Sequence, residues 1–375
     1  MVHAQAAATA ASAPLLSPGD PAPWFEAATA ANPRFHFATA AGRYVLLAFP
    51  GPASHPAAAA AVAAMRDAQA SGLLDDGNAT GFVVSVDPAD DNEGGPRDAF
   101  PGLRVFRDRD AAVSRRFGLV ERAEGGGFRY RPAALLLDPL LRVVAVEPLA
   151  RLSDLVGMLR GLPPAGRYAG EEIPAPVLVL PRVLEPALCV RLVAVYEAGG
   201  GAESGFMVER GGRTVGVYDD SRKRRRDQPI EDEALQEAIR ARIGRRIAPE
   251  MRKAFQFNAS RIERYIVACY DSASGGHFRA HRDNTTPATA HRRFAVTINL
   301  NDAFEGGELW FPEFGARQYR PPAGGAVVFS CSLLHEARPV TAGRRYALLP
   351  FLYDEAAARV REANAGSLAE PAAAE

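Results

Sequence analysis

RYIVACYDSASGGHFRAHRDN, residues 264–284, is an apolar run rich in β-branched and aromatic residues that turns at Gly275-Gly276 and enters the triplet His281-Arg282-Asp283. Two strands read from this region, 262–270 and 277–283. On a strand, side chains two residues apart share one face, so the spacing aims the His281 imidazole and the Asp283 carboxylate at the same point. Further strands are predicted at 293–300, 308–311, 325–330 and 345–353, separated by Gly and Pro. Short, closely spaced strands with such punctuation predict a β-sandwich or jelly roll.

The triplet alone decides little. With seven histidines and 44 acidic residues in 375, roughly 0.8 His-x-acid triplets are expected by chance. Its weight comes from an ordered set of residues downstream. His335, 52 residues after Asp283, supplies a third ligand from a later strand. Two histidines and one carboxylate leave three adjacent positions on a metal free, the arrangement that non-haem Fe(II) oxygenases use. Ten residues after His335, Arg345 heads the strand Arg345-Tyr-Ala-Leu-Leu-Pro-Phe. A guanidinium pairs two-pronged with a carboxylate, so it can grip the far end of 2-oxoglutarate. Arg344 is the alternative anchor. Arg345 is preferred because alternation then sends Ala347, Leu349 and Phe351 to the same inward face. Glu305-Gly-Gly-Glu-Leu309 supplies a tight turn between strands.

Taken together, RYIVACYDSASGGHFRAHRDN, RRFAVTINLNDAFEGGELWFPEFG (292–315) and GGAVVFSCSLLHEARPVTAGRRYALLPFLYDE (324–355) resemble the catalytic core of the prolyl 4-hydroxylase family of Fe(II)/2-oxoglutarate dioxygenases. The resemblance covers about residues 178–356. It implies a double-stranded β-helix, or jelly roll, with flanking helices. It implies His281, Asp283 and His335 as catalytic iron ligands and Arg345 as the cosubstrate anchor. It also places Tyr270 near the cosubstrate, and Asn299 where many relatives have a cosubstrate-binding tyrosine. The implied cofactors are Fe(II), 2-oxoglutarate, O2 and L-ascorbate. The implied reaction couples decarboxylation of 2-oxoglutarate to hydroxylation of a peptidyl residue such as proline, or of a free amino acid or small metabolite. A two-domain scaffold without turnover is the non-enzymatic alternative. Halogenating relatives lose the carboxylate ligand; Asp283 is present. Nucleobase demethylases carry an arginine six residues after the anchor; Phe351 stands there.

The first half reads differently. Tyr44–Phe49, 82–86, 133–137 and 143–146 are strand-like, and the stretches 56–69, 110–117 and 152–159 are helix-like, which points to an α/β layer fold. SPGDPAPWFEA, VLLAFPGPASHP, LRVFRDRDAAVSRRFGL and RPAALLLDPLLRVV fall in peroxiredoxin order. Residues 17–163 therefore resemble a thioredoxin-fold, peroxiredoxin-like domain. Peroxide reduction needs a thiolate, yet Ala57 stands at the peroxidatic position, and no cysteine precedes Cys189. This domain is expected not to be a thiol peroxidase, but to dock a partner or stabilise the enzyme. Residues 1–16 read as a disordered start, 164–177 as a Pro/Gly-rich linker and 357–375 as a helical or disordered tail. Helices are expected at 185–196 and 232–247.

Zero net charge gives no whole-molecule field toward DNA or anionic lipid. No apolar run approaches a membrane span, and three scattered cysteines form no disulfide framework or zinc pattern. The expectation is a soluble cytoplasmic protein, with no DNA or membrane partner, compatible with a homodimer, acting on a protein, peptide or small-molecule substrate. The basic run Arg222-Lys-Arg-Arg-Arg226 reads as a solvated flexible loop. His277 and His291 read mainly as structural, Cys269 and Cys331 as buried thiols, and Trp310 and Phe311 as barrel filling.

Overall fold

The computed structural model describes residues 14–92, 95–122 and 128–368. The chain divides into two compact units, Met1–Pro174 with Pro312–Ala316, and Ala175–Phe311 with Arg317–Glu375. The expected start, 1–16, lies mostly outside the described residues, whereas the expected tail, 357–375, is described to 368 and begins within the helix Glu355–Ala363.

The first unit is built on the run Tyr44–Phe49, a strand buried along its whole length. A strand covered on both faces must be apolar on both, which is why this run does not alternate. It lies at the centre of a five-stranded sheet in the order Leu103–Arg107, Ala79–Ser85, Tyr44–Phe49, Ala133–Leu137, Val143–Pro148. The first three strands are mutually parallel, and Ala133–Leu137 runs antiparallel to both of its neighbours. Residues of helices Ala58–Ala70 and Leu152–Gly161 pack on the face carrying Leu46, Val83 and Leu136. On the other face the rings of Phe82 and Phe106 stack 4.6 Å apart, joined by Phe25, Phe35 and Phe37. Leu103–Arg107 is a strand that the sequence pattern does not predict. Arg104 and Arg107 break its apolar pattern, and Arg104 finds its partner in Asp76 at 2.7 Å. Ala57 precedes the helix Ala58–Ala70 and presents only a methyl group.

The 164–177 segment is not a free linker throughout. Ala165 is buried in the first unit's core, and its N–H donates to Asn78 Oδ1 at 2.7 Å.

The second unit holds two large antiparallel sheets and a separate hairpin, Phe206–Arg210 with Arg213–Val217. The larger runs Leu178–Leu180, Ala326–Ser330, Phe294–Asn299, Val340–Leu348, Ile266–Asp271, Arg226–Pro229, Ala202–Glu203. The smaller runs Lys223–Arg224, His277–His281, His335–Ala337, Leu309–Trp310, Gln318–Tyr319. Alternation along the large sheet separates two cores. Val267, Cys269, Ile298 and Leu348 pack with Leu192, Ile239 and Met251 of the helices Pro186–Gly199, Glu233–Arg242 and Ala248–Phe255. Ile266, Ala268, Tyr270, Ala347 and Leu349 face the other way and meet Ala337 of the small sheet. Asp232 caps its helix by accepting from the N–H groups of Ala234 and Leu235.

Three strand expectations need correction. The 262–270 strand is broken at Arg264-Tyr265, where Arg264 adopts φ 54°. The 345–353 strand is two strands interrupted at Leu349-Pro350, since proline cannot donate to a ladder. The 277–283 strand ends at His281, so Asp283 is presented by the adjoining turn and not by strand alternation.

Candidate metal centre

His281 and His335 face each other across adjacent antiparallel strands of the small sheet. Asp283 is brought between them by a turn whose backbone is held from both sides. Its N–H donates to the Cys331 carbonyl at 3.0 Å, and Arg292 Nη1 donates to its carbonyl at 3.4 Å. Asp283 Oδ1 lies 3.5 Å from His281 Nε2, and Oδ2 lies 3.4 Å from His335 Nε2. One donor atom from each of the three residues falls within a 4.8 Å span.

Each imidazole is fixed in the tautomer a metal needs. His281 Nδ1–H donates to the Arg279 carbonyl at 2.7 Å and His335 Nδ1–H to the Leu333 carbonyl at 3.0 Å. Both Nε2 lone pairs are thereby turned to the common point. Phe278 stacks on the His281 ring at 3.4 Å, and Phe329 meets the His335 ring edge-on at 4.6 Å. Burial, with His281 beside it, pushes His335 down to about 4, so it is a neutral ligand at neutral pH. Burial alone would raise the Asp283 carboxyl, but the two histidines more than reverse this and hold it below the usual carboxylate range. Two imidazoles with Nε2 turned inward and one carboxylate fit a divalent first-row metal with positions to spare.

Arg345 lies on the facing large sheet, paired in register with Tyr270. It is 3 % exposed. Its Nε donates to Asn299 Oδ1 at 3.0 Å, and Asn299 Nδ2 donates to the Pro321 carbonyl at 2.8 Å. Both ends of the Asn299 amide are thus engaged, and its side chain positions Arg345. Among the described residues, no carboxylate lies within ion-pair distance of the Arg345 guanidinium. Gly307 makes room for this arginine: its φ is 69°, and a Cβ there would meet Arg345 Cδ at 3.0 Å. The alternative anchor, Arg344, is turned outward and bonded to Asp271 at 2.8 Å. Tyr270 lies between two cations, with the Arg345 guanidinium 5.3 Å and that of Arg225 5.8 Å from its ring.

The basic run is not a solvated loop. Lys223–Arg224 and Arg226–Pro229 are strands, and Lys223 and Arg225 point inward. Arg225 pairs with Asp227 at 2.6 Å and donates to the Tyr270 hydroxyl at 3.3 Å. Lys223 Nζ donates to Ser204 Oγ and the Gly205 carbonyl, and lies 4.9 Å over the Phe278 ring. The alternation of Arg225 with Asp227 at strand spacing is the sequence signal for this. His277 donates from Nδ1 to the Gly275 carbonyl and takes no part in the centre. Phe311 packs against Phe329, whereas Trp310 lies beside Arg338.

Residues 265–353 match the model of the 2OG-Fe(II) oxygenase superfamily. The chain carries a 2OG-Fe(II) oxygenase domain. A PKHD-type hydroxylase of Paraburkholderia phymatum is 29% identical over 181 residues, which are 46% of this chain and 75% of that protein. Matches to other PKHD-type hydroxylases, from Synechococcus and Pseudomonas, are shorter and span 39–43% of those proteins. Among solved structures, a prolyl hydroxylase from Trichoplax adhaerens, in complex with a hypoxia inducible factor peptide fragment, is similar over 50% of this chain and 86% of its own. It is 19% identical, with a TM-score of 0.38. Peroxiredoxin Q of Xanthomonas campestris is similar over 36% of this chain and 90% of its own, at 16% identity and a TM-score of 0.31.

Behind the Asp283 turn, Glu263 accepts from His291 Nε2 at 2.7 Å and from Arg292 at 2.6 Å. Burial would raise Glu263, but these two partners pull it down to about 2. Its stabilising contribution is therefore complete above the ordinary value of 4.5 and is lost as pH falls through that value toward 2. About 3 kcal/mol is involved. Urea unfolding of wild type should weaken more steeply between pH 5 and 3 than unfolding of Glu263→Gln; equal acid slopes would contradict this role.

Proposed function

We propose that the second unit is an Fe(II)- and 2-oxoglutarate-dependent hydroxylase acting on a peptidyl residue such as proline, with a free amino acid or small metabolite as the alternative substrate. The convergence of His281 Nε2, His335 Nε2 and the Asp283 carboxylate, facing an Arg345 without an acidic partner among the described residues, carries this reading. We read the two antiparallel sheets as a double-stranded β-helix, and the first unit as thioredoxin-like.

His281, Asp283 and His335 would hold Fe(II). Bound there with 2-oxoglutarate and O2, the metal supplies the oxidant that places one oxygen atom on a C–H bond while 2-oxoglutarate becomes succinate and CO2. Arg345 fixes the distal carboxylate of the cosubstrate, and Asn299 fixes Arg345. Tyr270, Ala268, Leu349 and Phe278 exclude water around that chain, which strengthens the charge pairing. L-Ascorbate sustains turnover by keeping the metal reduced. Asp283 fills the position that halogenating relatives leave open, which supports hydroxylation.

The test is succinate formation by the full chain with Fe(II), 2-oxoglutarate and ascorbate, with and without peptide pools. Wild type should release succinate and His281→Ala should not. Succinate from wild type no higher than from the mutant would favour a scaffold. The same preparation should not consume peroxide with a thiol reductant, since Ala57 has no nucleophile; thiol-dependent consumption at enzymatic rates would reverse that assignment.

A further inference from the structure

Five basic side chains gather between the sheets around Tyr270 and Phe351: Lys223, Arg225, Arg264, Arg292 and Arg345. Four have an occupation. Arg225 pairs with Asp227 and Arg292 with Glu263. Lys223 donates to Ser204 and Gly205, and Arg345 faces the cosubstrate on the hydroxylase reading. Arg264 is the remainder. Its Nε donates to the Leu349 carbonyl at 3.1 Å, and its guanidinium carbon lies 4.5 Å from the centre of the Phe351 ring. Arg292 lies 4.1 Å from the same ring and reaches the Asp283 carbonyl, so Arg264 is one aromatic ring from the metal-binding turn. Among the described residues, no carboxylate lies within ion-pair distance of Arg264. The neighbouring acid, Glu263, is held by His291 and Arg292.

Within the chain the opposition to this cation outweighs the support it gets from Asp227 and Glu263. Burial and the charges of Arg225 and Arg292 draw it down to about 10. Its φ of 54° is a left-handed conformation that disfavours a non-glycine residue. A half-buried guanidinium without a counter-ion gains from an acid that completes it from outside. The charge of the loaded centre points the same way. A divalent metal, the Asp283 carboxylate, dianionic 2-oxoglutarate and Arg345 together sum to zero, and the Arg225–Asp227 and Arg292–Glu263 pairs are each neutral. Two cations are left without a counter-charge: Lys223, whose Nζ is taken up by Ser204 and Gly205, and Arg264.

We propose that the substrate presents one carboxylate to Arg264, next to the bond that is oxidised. This rests on the hydroxylase reading and narrows its substrate to acids. Two sources share that chemistry: the carboxylate of a small amino or imino acid, and an acidic side chain beside the target residue of a peptide.

The test uses the full chain loaded with 2-oxoglutarate and Zn(II), which binds without turnover. It is titrated calorimetrically with N-acetyl amino acids against their amides, and with Glu- or Asp-containing proline peptides against their Gln or Asn counterparts. The charged member should bind about tenfold tighter or more, as a charge-assisted pair gives. Arg264→Gln should erase the preference and Arg264→Lys retain part of it, which separates a lost charge from a damaged fold. In Fe(II)-dependent assays the glutamine variant should raise KM for the acidic probe more than it lowers kcat. A preference among the N-acetyl acids marks a small-molecule substrate, and one among the peptides marks an acidic peptide. Equal binding of charged and uncharged members in both sets, or a preference that survives Arg264→Gln, would overturn the proposal. Absence of Fe(II)- and 2-oxoglutarate-dependent succinate from wild type would instead remove the hydroxylase reading itself.

Discussion

Asp283→Ala will abolish 2-oxoglutarate turnover and cut metal affinity by at least ~100-fold, since even the outer partners of metal ligands are worth ~10–100-fold. The structural cost will be small by comparison. Among the described residues the Asp283 side chain makes no bond to the scaffold beyond its two histidine neighbours, and the turn is held through its backbone by Cys331 and Arg292. Metal titration followed by thermal unfolding separates the two effects. Wild type should gain a metal-dependent rise in Tm that the variant lacks, while the metal-free Tm values stay close. A variant that still binds Fe(II) within a few fold of wild type would show that the carboxylate is not a ligand.

Arg345→Gln carries the second large effect. The guanidinium is buried, oriented by Asn299 and without an acidic partner among the described residues. Removing one member of a buried charge pair costs ~2–5 kcal/mol, so KM for 2-oxoglutarate should rise by roughly 30-fold or more. Asn299→Ala should raise it less, because the charge remains while its aim is loosened. Arg344→Gln, whose partners are Asp271 and Glu197 on the exterior, should leave the KM near wild type. If Arg344→Gln were the damaging change, the anchor would have been assigned to the wrong neighbour.

The two arginines show how far residue alternation reaches. Along Val340–Leu348 it picks Arg345 over Arg344 without coordinates, because only the inward face matches Ala347 and Leu349. The fully buried strands of the first unit are equally legible as unbroken apolar runs. Leu103–Arg107 is not, since its arginines look like surface and their partners are distant in sequence. The same blindness hides the interior cations. Lys223 and Arg225 sit in a run of five basic residues that reads as solvated, and only the pairing with Ser204 and Asp227 shows that every second one turns inward. Arg264 is invisible as a special position because nothing local announces a left-handed arginine. Asp283 is legible for a partly wrong reason: its direction comes from a turn pinned by Arg292, not from strand alternation.

The histidines belong to the small sheet, whereas Tyr270, Asn299 and Arg345 belong to the large one. Facing sheets keep a separation of ~10 Å, set by the backbone and the residues between them. Any molecule gripped at both ends must bridge that gap, so the pair of sheets acts as a caliper. Selection for the length of a dicarboxylic acid then belongs to the architecture. It would be relaxed by changes far from the metal that let the two layers drift apart.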